Sequence, residues 1–501
     1  MLDRGLKMIE RETVRTRIAP SPTGLPHIGN FRTIIFNWLF ARHHGGKFVV
    51  RIEDTDVARR VEGAVEAILD GLRWLGLDWD EGPEVDGPYA PYLQSQRLSI
   101  YQEHADRLIQ QGDAYLCFCT PERLAAMREE QQRRKQQLGY DRLCRALSKE
   151  EVDAKLAQGL VPVIRFKVPL EGSTTFHDLI HGDITFPNAA LDDFVIIKSD
   201  GYPTYHLAHL VDDHLMQITH VMRADEWISS TPRHILLYQA FGWEPPKFAH
   251  VPQILGPDRS KLSKRHGATS VIAYRDMGYL PEAMLNYLAL LGWAYDTTTE
   301  IMSRDELIRY FSIEKINKTG AIFDISKLDW MNGYYIRQLS IADLTSRLMP
   351  YLEKAGLAEE KDREYIQRIA PLIQERMRKL SDVVELTGFF FANMLEYDAK
   401  LLVAKGLTTQ SSLHALRAAK ERIVGLSEWN RAALEGAIRP LAEELGIKTG
   451  QLFGILRVAV TGKTAAPPLF ETMEVLGRDR VLSRIGAAEE KLEKMSAPSE
   501  G

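Results

Sequence analysis

The sequence is poor in cysteine, has no long apolar run and carries no large excess of charge of either sign. Its three cysteines are few and odd in number, which excludes a disulfide framework and fits a reducing compartment. The apolar stretches 284–293 and 388–394 are shorter than the roughly 20 residues that span a bilayer. Because charged side chains are spread through residues 1–15, we expect no signal peptide. These features exclude secreted scaffolds and membrane proteins, and we expect a cytoplasmic protein.

The remaining composition is that of an ordinary globular chain. The 501 residues include 63 basic and 68 acidic side chains, for a formal charge of −5, with 45% hydrophobic and 26% charged residues. A prior of roughly 150 residues per domain predicts three or four domains. The mildly acidic balance argues against non-specific nucleic-acid binding, although it leaves room for a locally basic surface.

The amino-terminal part has the pattern of a strand, a helix and a second strand. Residues 13–18 and 48–52 have strand-like composition, and between them the apolar positions of 31–39 follow the spacing of one helix face. Such a unit implies a parallel sheet with a right-handed crossover. A second unit of the same kind is predicted further on, with strands at 194–198 and 218–222 on either side of a helix.

The segment between the two units has a different sequence pattern, which predicts a charged helix near 121–137 and a strand at 163–168. From about residue 340, helical periodicity replaces the strand patterns. The predicted fold is therefore multidomain: an α/β Rossmann-like parallel sheet that is split by an α+β insertion and followed by an all-α carboxyl-terminal region.

The first candidate site is a polar turn between the first strand and the first helix. It reads Arg17-Ile-Ala-Pro-Ser-Pro-Thr-Gly24 and continues with Pro26-His27-Ile28-Gly29-Asn30. Ligands of open α/β sheets bind in this crevice, where helix N–H groups favour phosphate. His27 and Asn30, three residues apart, can both donate to phosphate oxygens, and Gly29 allows a close approach. Taken alone, the string also fits a plain strand-to-helix turn with a surface histidine.

The second candidate site is the basic run Lys261-Leu262-Ser263-Lys264-Arg265 in a polar loop. Three cations in five residues could hold a triphosphate as its charge rearranges in a transition state. The alternative for this run alone is a solvated basic loop.

Together, the two sites resemble the HIGH and KMSKS motifs of class I aminoacyl-tRNA synthetases. Longer strings are similar to glutamyl-tRNA synthetases of the bacterial type, and the similarity covers essentially the whole chain. These strings are 17–24, 27–30, 51–56, 199–208, 211–214, 223–227 and 330–333.

This resemblance implies an ATP-dependent ligase that converts L-glutamate to glutamyl-adenylate and transfers it to the terminal adenosine of tRNA(Glu). It implies Mg²⁺ bound with ATP, and we expect a monomer without a membrane partner. The residues implied in catalysis are His27, Asn30, Lys261 and Lys264. Those implied in ATP binding are His27, Gly29, Asn30, Lys264 and Arg265.

The resemblance also implies a glutamate site, which would consist of Arg17, Ala19, Ser21, Glu53, Tyr205, His209 and Arg223. Two arginines and a tyrosine hydroxyl suit the carboxylates of glutamate, and Glu53 suits its ammonium group. Which arginine meets the side-chain carboxylate stays open at this stage. Two positions depart from the family pattern: Asn30 replaces the second histidine of HIGH, and His209 stands where relatives often carry asparagine.

The domain plan also follows from the resemblance. The helical region would read the anticodon through Arg376 and Arg378, although a solvated basic helix face explains the same residues. The expected parts are the first half of the Rossmann catalytic domain (13–92), an acceptor-binding insertion (93–207), the second catalytic half (208–265), a stem-contact region (266–340) and an all-helical anticodon-binding domain (341–501).

The cysteines Cys117, Cys119 and Cys144 resemble a zinc knob found in the insertion of some family members. The fourth ligand there is a histidine two residues after the third cysteine, and this chain has Ala146 at that position. Zinc normally takes four ligands, so reduced cysteines without metal are the preferred interpretation. Three thiolates with water or a distant histidine are the alternative.

Two other functions are compatible with the sequence. A non-discriminating synthetase would also charge tRNA(Gln), which depends on anticodon contacts that the sequence does not define. A non-catalytic tRNA-binding relative would keep the fold without the chemistry, but the presence of His27, Glu53, Arg223 and Lys264 argues against it.

Overall fold

The computed structural model describes residues 13–24, 26–267 and 270–496. The charged amino terminus, for which no signal peptide is expected, lies outside these residues. The chain forms two compact units: the first comprises the chain up to Tyr274 together with Met284–Ile325, and the second comprises Arg275–Ala283 together with the chain from Ser326.

All strands of the described residues belong to the first unit. They are β1 (Arg15–Ile18), β2 (Lys47–Val50), β3 (Ala114–Cys117), β4 (Val163–Phe166), β5 (Ser173–Asp178), β6 (Gly182–Pro187), β7 (Val195–Ile197), β8 (His220–Ala224), β9 (Lys247–Val251), β10 (Ile254–Leu255) and β11 (Ala321–Ile322).

The helices follow in chain order. They are α1 (Ile28–His43), α2 (Ala64–Trp74), α3 (Leu98–Gln111), α4 (Pro121–Arg133), α5 (Lys149–Ala157), α6 (Tyr205–Leu215), α7 (Thr231–Phe241), α8 (Val271–Asp276), α9 (Pro281–Leu290), α10 (Arg304–Tyr310), α11 (Ile325–Gln338), α12 (Ile341–Lys354), α13 (Arg363–Ile373), α14 (Asp382–Phe391), α15 (Thr409–Val424), α16 (Arg431–Glu444), α17 (Thr449–Thr461), α18 (Leu469–Leu476) and α19 (Arg478–Ser496).

A six-stranded sheet in the order β2-β1-β8-β9-β5-β6 forms the centre of the first unit. Its neighbouring strands are parallel except for the edge pair β5–β6. The predicted first unit of strand, helix and strand is confirmed by β1, α1 and β2. The β1 strand is buried along its whole length, as expected for a strand covered on both faces.

The predicted strand at 194–198 is real, but its expected place in the parallel sheet is wrong. As β7 it pairs antiparallel with β4 in a separate three-stranded sheet, β3-β4-β7. The strands from the segment 93–207 that join the main sheet are β5 and β6, and β5 pairs with β9 on the side opposite β8. The short apolar run of β7 suits either sheet, and only the tertiary fold decides which partner it finds.

The second unit is helical, and the described residues from α12 to α19 contain no strand, which confirms the predicted all-α region. Its core consists of the apolar faces of these helices, including Leu348, Ile369, Leu416 and Ile455. None of the described helices is long and apolar enough to cross a membrane.

Candidate active site

A cleft of about 840 Å³ opens at the carboxyl ends of β1, β2 and β8, entirely within the first unit. Ligands of open α/β sheets bind at such an edge. The residues predicted for ATP and glutamate that line this cleft are Arg17, Ala19, Ser21, His27, Gly29, Asn30, Glu53, Tyr205, Arg223 and Lys261. Two predicted substrate sites are thus brought to one cavity by strands that lie far apart in the sequence.

His27 is the N-cap of α1, and its cap determines which of its atoms can meet a ligand. Its Nδ1 accepts from the backbone N–H of Gly29 at 3.1 Å, and the side-chain oxygen of Asn30 accepts from the backbone N–H of His27 at 3.1 Å. Burial and the nearby Lys261 lower the pKa of His27, which favours the neutral imidazole. The His27 Nε2–H and the Asn30 amide N–H groups are therefore left to donate to phosphate oxygens.

Arg17 is buried against Asp213. Its Nε and Nη2 donate to the two carboxylate oxygens at 3.1 and 3.4 Å, and Arg51 Nη1 donates to the same carboxylate at 2.7 Å. Burial opposes ionisation of Asp213, but Arg17 and Arg51 hold its pKa well below the usual range. Arg17 therefore reaches the cleft with its charge already paired.

Glu53 follows β2 and accepts from Arg51 Nη2 at 3.0 Å. Burial raises the pKa of Glu53 to about 7, although Arg51 and Arg17 act in the opposite direction. An ammonium group in the cleft would favour the ionised carboxylate and lower this pKa again.

Arg223, in β8, differs from Arg17 in its surroundings. It donates to the Tyr205 hydroxyl and to His250 Nε2, each at 3.1 Å. Among the described residues it forms no ion pair with a carboxylate. Its charge is therefore uncompensated where it lines the cleft.

Tyr205 stands between two rings at the cleft wall. It stacks on His209, with 4.4 Å between the ring centroids, and the ring of Trp227 lies 4.2 Å away. His209 is fully buried, is not part of the cleft wall and forms a hydrogen bond through Nδ1 with Asp213 at 3.2 Å. Burial lowers the pKa of His209 to about 3. The geometry therefore does not support the predicted contact between His209 and the amino acid. It supports an indirect role, in which His209 packs behind Tyr205.

The basic loop meets the cleft through Lys261, which is exposed and pairs with Glu226 at 2.8 Å. Arg265 is exposed and donates to Asp258 at 3.1 Å, away from the cleft wall. The side chain of Lys264 lies outside the described residues. The phosphate-binding function of this loop therefore stays a prediction that Lys261 alone supports directly.

The three cysteines come together between β3 and the turn that holds Cys144. Their sulfur atoms lie within 4.8 Å of one another. The hydroxyl of Tyr140 lies 3.3 Å from Cys117 Sγ and 3.5 Å from Cys119 Sγ. A fourth polar atom is therefore present, although it comes from a residue that sequence reasoning did not consider.

Arg376 and Arg378, predicted to contact the anticodon from a helix, are both exposed. Arg376 ends a short 3-10 turn, and Arg378 follows it in a connecting segment. The backbone N–H groups of Arg378 and Lys379 donate to the Asp382 carboxylate at 2.8 and 2.9 Å, which fixes the start of α14. The two arginines thus lie on a turn rather than on a continuous helix.

Sequence reasoning missed several residues around the cleft. Asp213 lay within a string of the family resemblance but received no role, although it pairs with Arg17. His250, His234 and Thr231, which contact Arg223, belong to no quoted motif, and a single sequence contains no signal that connects them with it.

Comparisons with known proteins agree with this geometry. A model of the catalytic domain of class I tRNA synthetases (E and Q) matches residues 13–330, and a model of an anticodon-binding domain matches residues 343–489. A glutamate–tRNA ligase of Dehalococcoides mccartyi (strain ATCC BAA-2266 / KCTC 15142 / 195) is 59% identical over 485 residues, covering 96% of this chain and 99% of that protein. The glutamate–tRNA ligase of Moorella thermoacetica (strain ATCC 39073 / JCM 9320) is 50% identical over 479 residues, covering 95% and 98%.

A solved structure extends the match to three dimensions. It is the crystal structure of a glutamate tRNA ligase from Elizabethkingia meningosepticum CCUG26117 in complex with its amino acid, with a TM-score of 0.89 and 36% identity. The alignment covers 96% of this chain and 100% of that one. The chain therefore belongs to the glutamate–tRNA ligase family of class I aminoacyl-tRNA synthetases.

Proposed function

We propose that this chain activates L-glutamate with ATP to give glutamyl-adenylate and then transfers the glutamyl group to the terminal adenosine of tRNA(Glu). The observation that carries the proposal is that His27 and Asn30, at the start of α1, line the same cleft as Arg223, which forms no ion pair with any carboxylate of the described residues.

The first step needs no nucleophilic side chain, because the α-carboxylate of glutamate attacks the α-phosphorus of ATP and pyrophosphate leaves. Catalysis then consists of placement and charge stabilisation. His27 Nε2–H and the Asn30 amide donate to ATP oxygens, while Lys261, with Lys264 and Arg265 from the same loop, balances the charge of the leaving group. Mg²⁺ accompanies ATP and is held mainly by phosphate oxygens and water.

In the proposed complex, each charged group of glutamate meets a protein group of opposite charge. Arg223 and Tyr205 take the side-chain carboxylate, since Arg223 is the arginine whose charge is not already paired. Arg17, with Asp213 behind it, adds a second cation to the site, and Glu53 accepts from the α-ammonium. Glutamine would leave Arg223 without its anion, which is the kind of loss that gives strong discrimination.

In the second step, a ribose hydroxyl of the terminal adenosine attacks the acyl carbonyl of the adenylate, and AMP leaves. We assign the acceptor end of tRNA to residues 93–207, the stem to 266–340 and the anticodon to 341–501, with Arg376 and Arg378 among the contacts. Exposed arginines suit single-stranded bases because they stack and also form hydrogen bonds. We further propose a monomer that works in the cytoplasm.

Glutamate binding should weaken below neutral pH. Because burial raises the pKa of Glu53 to about 7, the carboxylate that accepts from the ammonium group is lost by protonation as the pH falls through 7. The KM for glutamate should then rise by about fivefold between pH 7 and pH 6, because about half of the Glu53 carboxyl groups are already protonated at pH 7. Steady-state kinetics from pH 6 to 8.5 would measure this. Glu53→Gln should raise the KM and flatten its pH profile, whereas an unchanged profile in this variant would refute the assignment.

The cysteine cluster should hold zinc. The reason for disfavouring the metal was a missing fourth ligand at Ala146. The three sulfurs nevertheless lie within 4.8 Å of one another. Burial raises the pKa of Tyr140 and keeps its phenol neutral, so water would supply the fourth ligand that tetrahedral zinc requires. Elemental analysis of the purified chain should find about one zinc per chain, and Cys119→Ser should lower the content. A metal content near zero after purification without chelators would restore the original interpretation.

Glutamate-dependent ATP–pyrophosphate exchange, with and without total tRNA, tests the proposed function. The family resemblance implies that exchange requires tRNA as well as glutamate, so we expect a signal only with both. Exchange without tRNA would support glutamate activation but contradict the expectation that tRNA is required for it. No exchange under either condition, from a folded sample, would refute the proposed function.

A further inference from the structure

Arg223 is surrounded by acceptors that carry no charge. Its Nε donates to His250 Nε2 at 3.1 Å, its Nη1 to the Tyr205 hydroxyl at 3.1 Å, and its Nη2 to Thr231 Oγ1 at 2.9 Å and His234 Nδ1 at 3.1 Å. We call His250, Thr231 and His234 the neutral shell of Arg223. All three are completely buried, so bulk water does not compete with them for the N–H groups of Arg223.

Other contacts hold each member of the neutral shell so that it can accept a hydrogen bond from Arg223. His250 Nδ1 lies 2.6 Å from an oxygen of Asp178, a buried carboxylate that also accepts from the His250 backbone N–H at 3.0 Å. The proton of His250 is therefore on Nδ1, which leaves the Nε2 lone pair for Arg223. The Thr231 hydroxyl donates to the Trp227 carbonyl at 2.9 Å, so its oxygen is left to accept.

His234 completes the shell in the same way. Its Nε2 lies 3.0 Å from His206 Nδ1, so a proton on Nε2 can be shared with His206 while Nδ1 accepts from Arg223. Burial lowers the pKa of His234 well below its usual value and that of His206 to about 4. Neither ring therefore adds positive charge beside Arg223 at neutral pH.

The hydrogen atoms of the guanidinium can be counted. A guanidinium has five N–H groups, and the contacts above occupy four of them. One N–H on Nη1 remains, and the Tyr205 hydroxyl, whose oxygen accepts from Nη1, still has its own hydrogen to donate. These two donors at the cleft wall match the two oxygens of one carboxylate.

We propose that the neutral shell, with Asp178 orienting His250, consists of positioning residues that fix Arg223 without neutralising it and so set the preference for glutamate over glutamine. The inference rests on the proposed function, in which Arg223 meets the side-chain carboxylate of glutamate. Asp178 is the anion of this arrangement, and the His250 ring stands between it and Arg223. A carboxylate inside the shell would neutralise Arg223 and so weaken its attraction for the carboxylate of the substrate.

Thr231 allows a matched test, because it is the first residue of α7, where aspartate and asparagine are both tolerated by a helix N-terminus. Thr231→Asp puts a carboxylate beside Arg223 Nη2, whereas Thr231→Asn has almost the same shape without the charge. Glutamate-dependent exchange with total tRNA should give a KM for glutamate about 100-fold higher in the aspartate variant than in the asparagine variant. The KM for ATP should be similar in the two.

Discrimination gives the readout that a purely structural defect would not produce. The ratio of kcat/KM for glutamate to that for glutamine should fall in Thr231→Asp relative to Thr231→Asn, because the negative side chain is now repelled and the neutral one is not. Equal glutamate KM values, or an unchanged ratio, in the two variants would overturn the inference. Absence of exchange in the parent chain would instead count against the proposed function.

A second pair of variants covers the case in which Thr231→Asp does not fold. His250→Phe removes the acceptor of Arg223 Nε and should raise the KM for glutamate by about tenfold. His250→Gln retains an acceptor oxygen and an N–H for Asp178, and it should recover most of this loss. Equal KM values in the phenylalanine and glutamine variants would also overturn the inference.

Discussion

Replacing Arg223 with methionine should lower kcat/KM for glutamate by about 10²- to 10³-fold, while the KM for ATP stays close to that of the parent chain. The substitution removes a cation that pairs with no carboxylate in the described part of the chain. It also leaves the buried acceptors of Arg223, such as His250 Nε2 and His234 Nδ1, without this donor. Unsatisfied buried acceptors also destabilise the fold by about 1–3 kcal/mol each. Thermal unfolding and exchange kinetics would separate the two effects.

Arg223→Lys is the control for this prediction. It keeps one positive charge but lacks the planar fork that reaches several acceptors at once. We expect it to retain part of the stability and to remain well below the parent chain in kcat/KM for glutamate. If the methionine variant kept the parent KM for glutamate, Arg223 would not be the partner of the substrate.

Replacing His27 with alanine should slow adenylate formation by about 10²-fold. The variant loses the Nε2–H that faces the cleft and also the Nδ1 acceptor that caps α1 at Gly29. Loss of a cap alone costs about 1 kcal/mol of stability. Single-turnover measurement of adenylate formation, with saturating glutamate and tRNA, would give the rate directly.

His27→Asn separates the cap from the catalytic contact. Asparagine is a good N-cap residue, so this variant should recover the stability that alanine loses. Its shorter side chain should not recover the rate. A rate that returns together with the stability would mean that His27 acts only through the helix.

The position of the ATP part of the cleft could be predicted because its residues are local in sequence. The turn that carries His27 and Asn30 must lie at the carboxyl end of β1 once a strand and a helix flank it, and this edge is where such sheets bind ligands. The pattern of one strand and one helix was therefore sufficient to place these two residues. The same holds for the all-α region, whose helical periodicity does not depend on distant partners.

The rest depends on contacts between distant residues, which one sequence does not contain. The pairing of Arg17 with Asp213 joins residues 196 positions apart. Arg51 donates to both Asp213 and Glu53, and Gln94 Nε2 also donates to Glu53. The sequence therefore does not show that Arg17 pairs with a carboxylate of the protein while Arg223, within the described residues, does not. This difference decides which arginine is available to the side-chain carboxylate of glutamate. Tyr140 was missed for a related reason, since its hydroxyl approaches the cysteines only through the fold of the loop.

The order of the central sheet has a consequence for how the chain folds during its synthesis. β1 acquires its second neighbour only from β8, and the Arg15 backbone N–H donates to Thr219 across 204 residues of sequence. At roughly 5–20 residues per second, a ribosome needs about 10–40 s to make that partner. Until then the backbone N–H and C=O groups on that side of β1 are unpaired, so nascent chains that stop before β8 should depend on chaperones far more than the finished protein does.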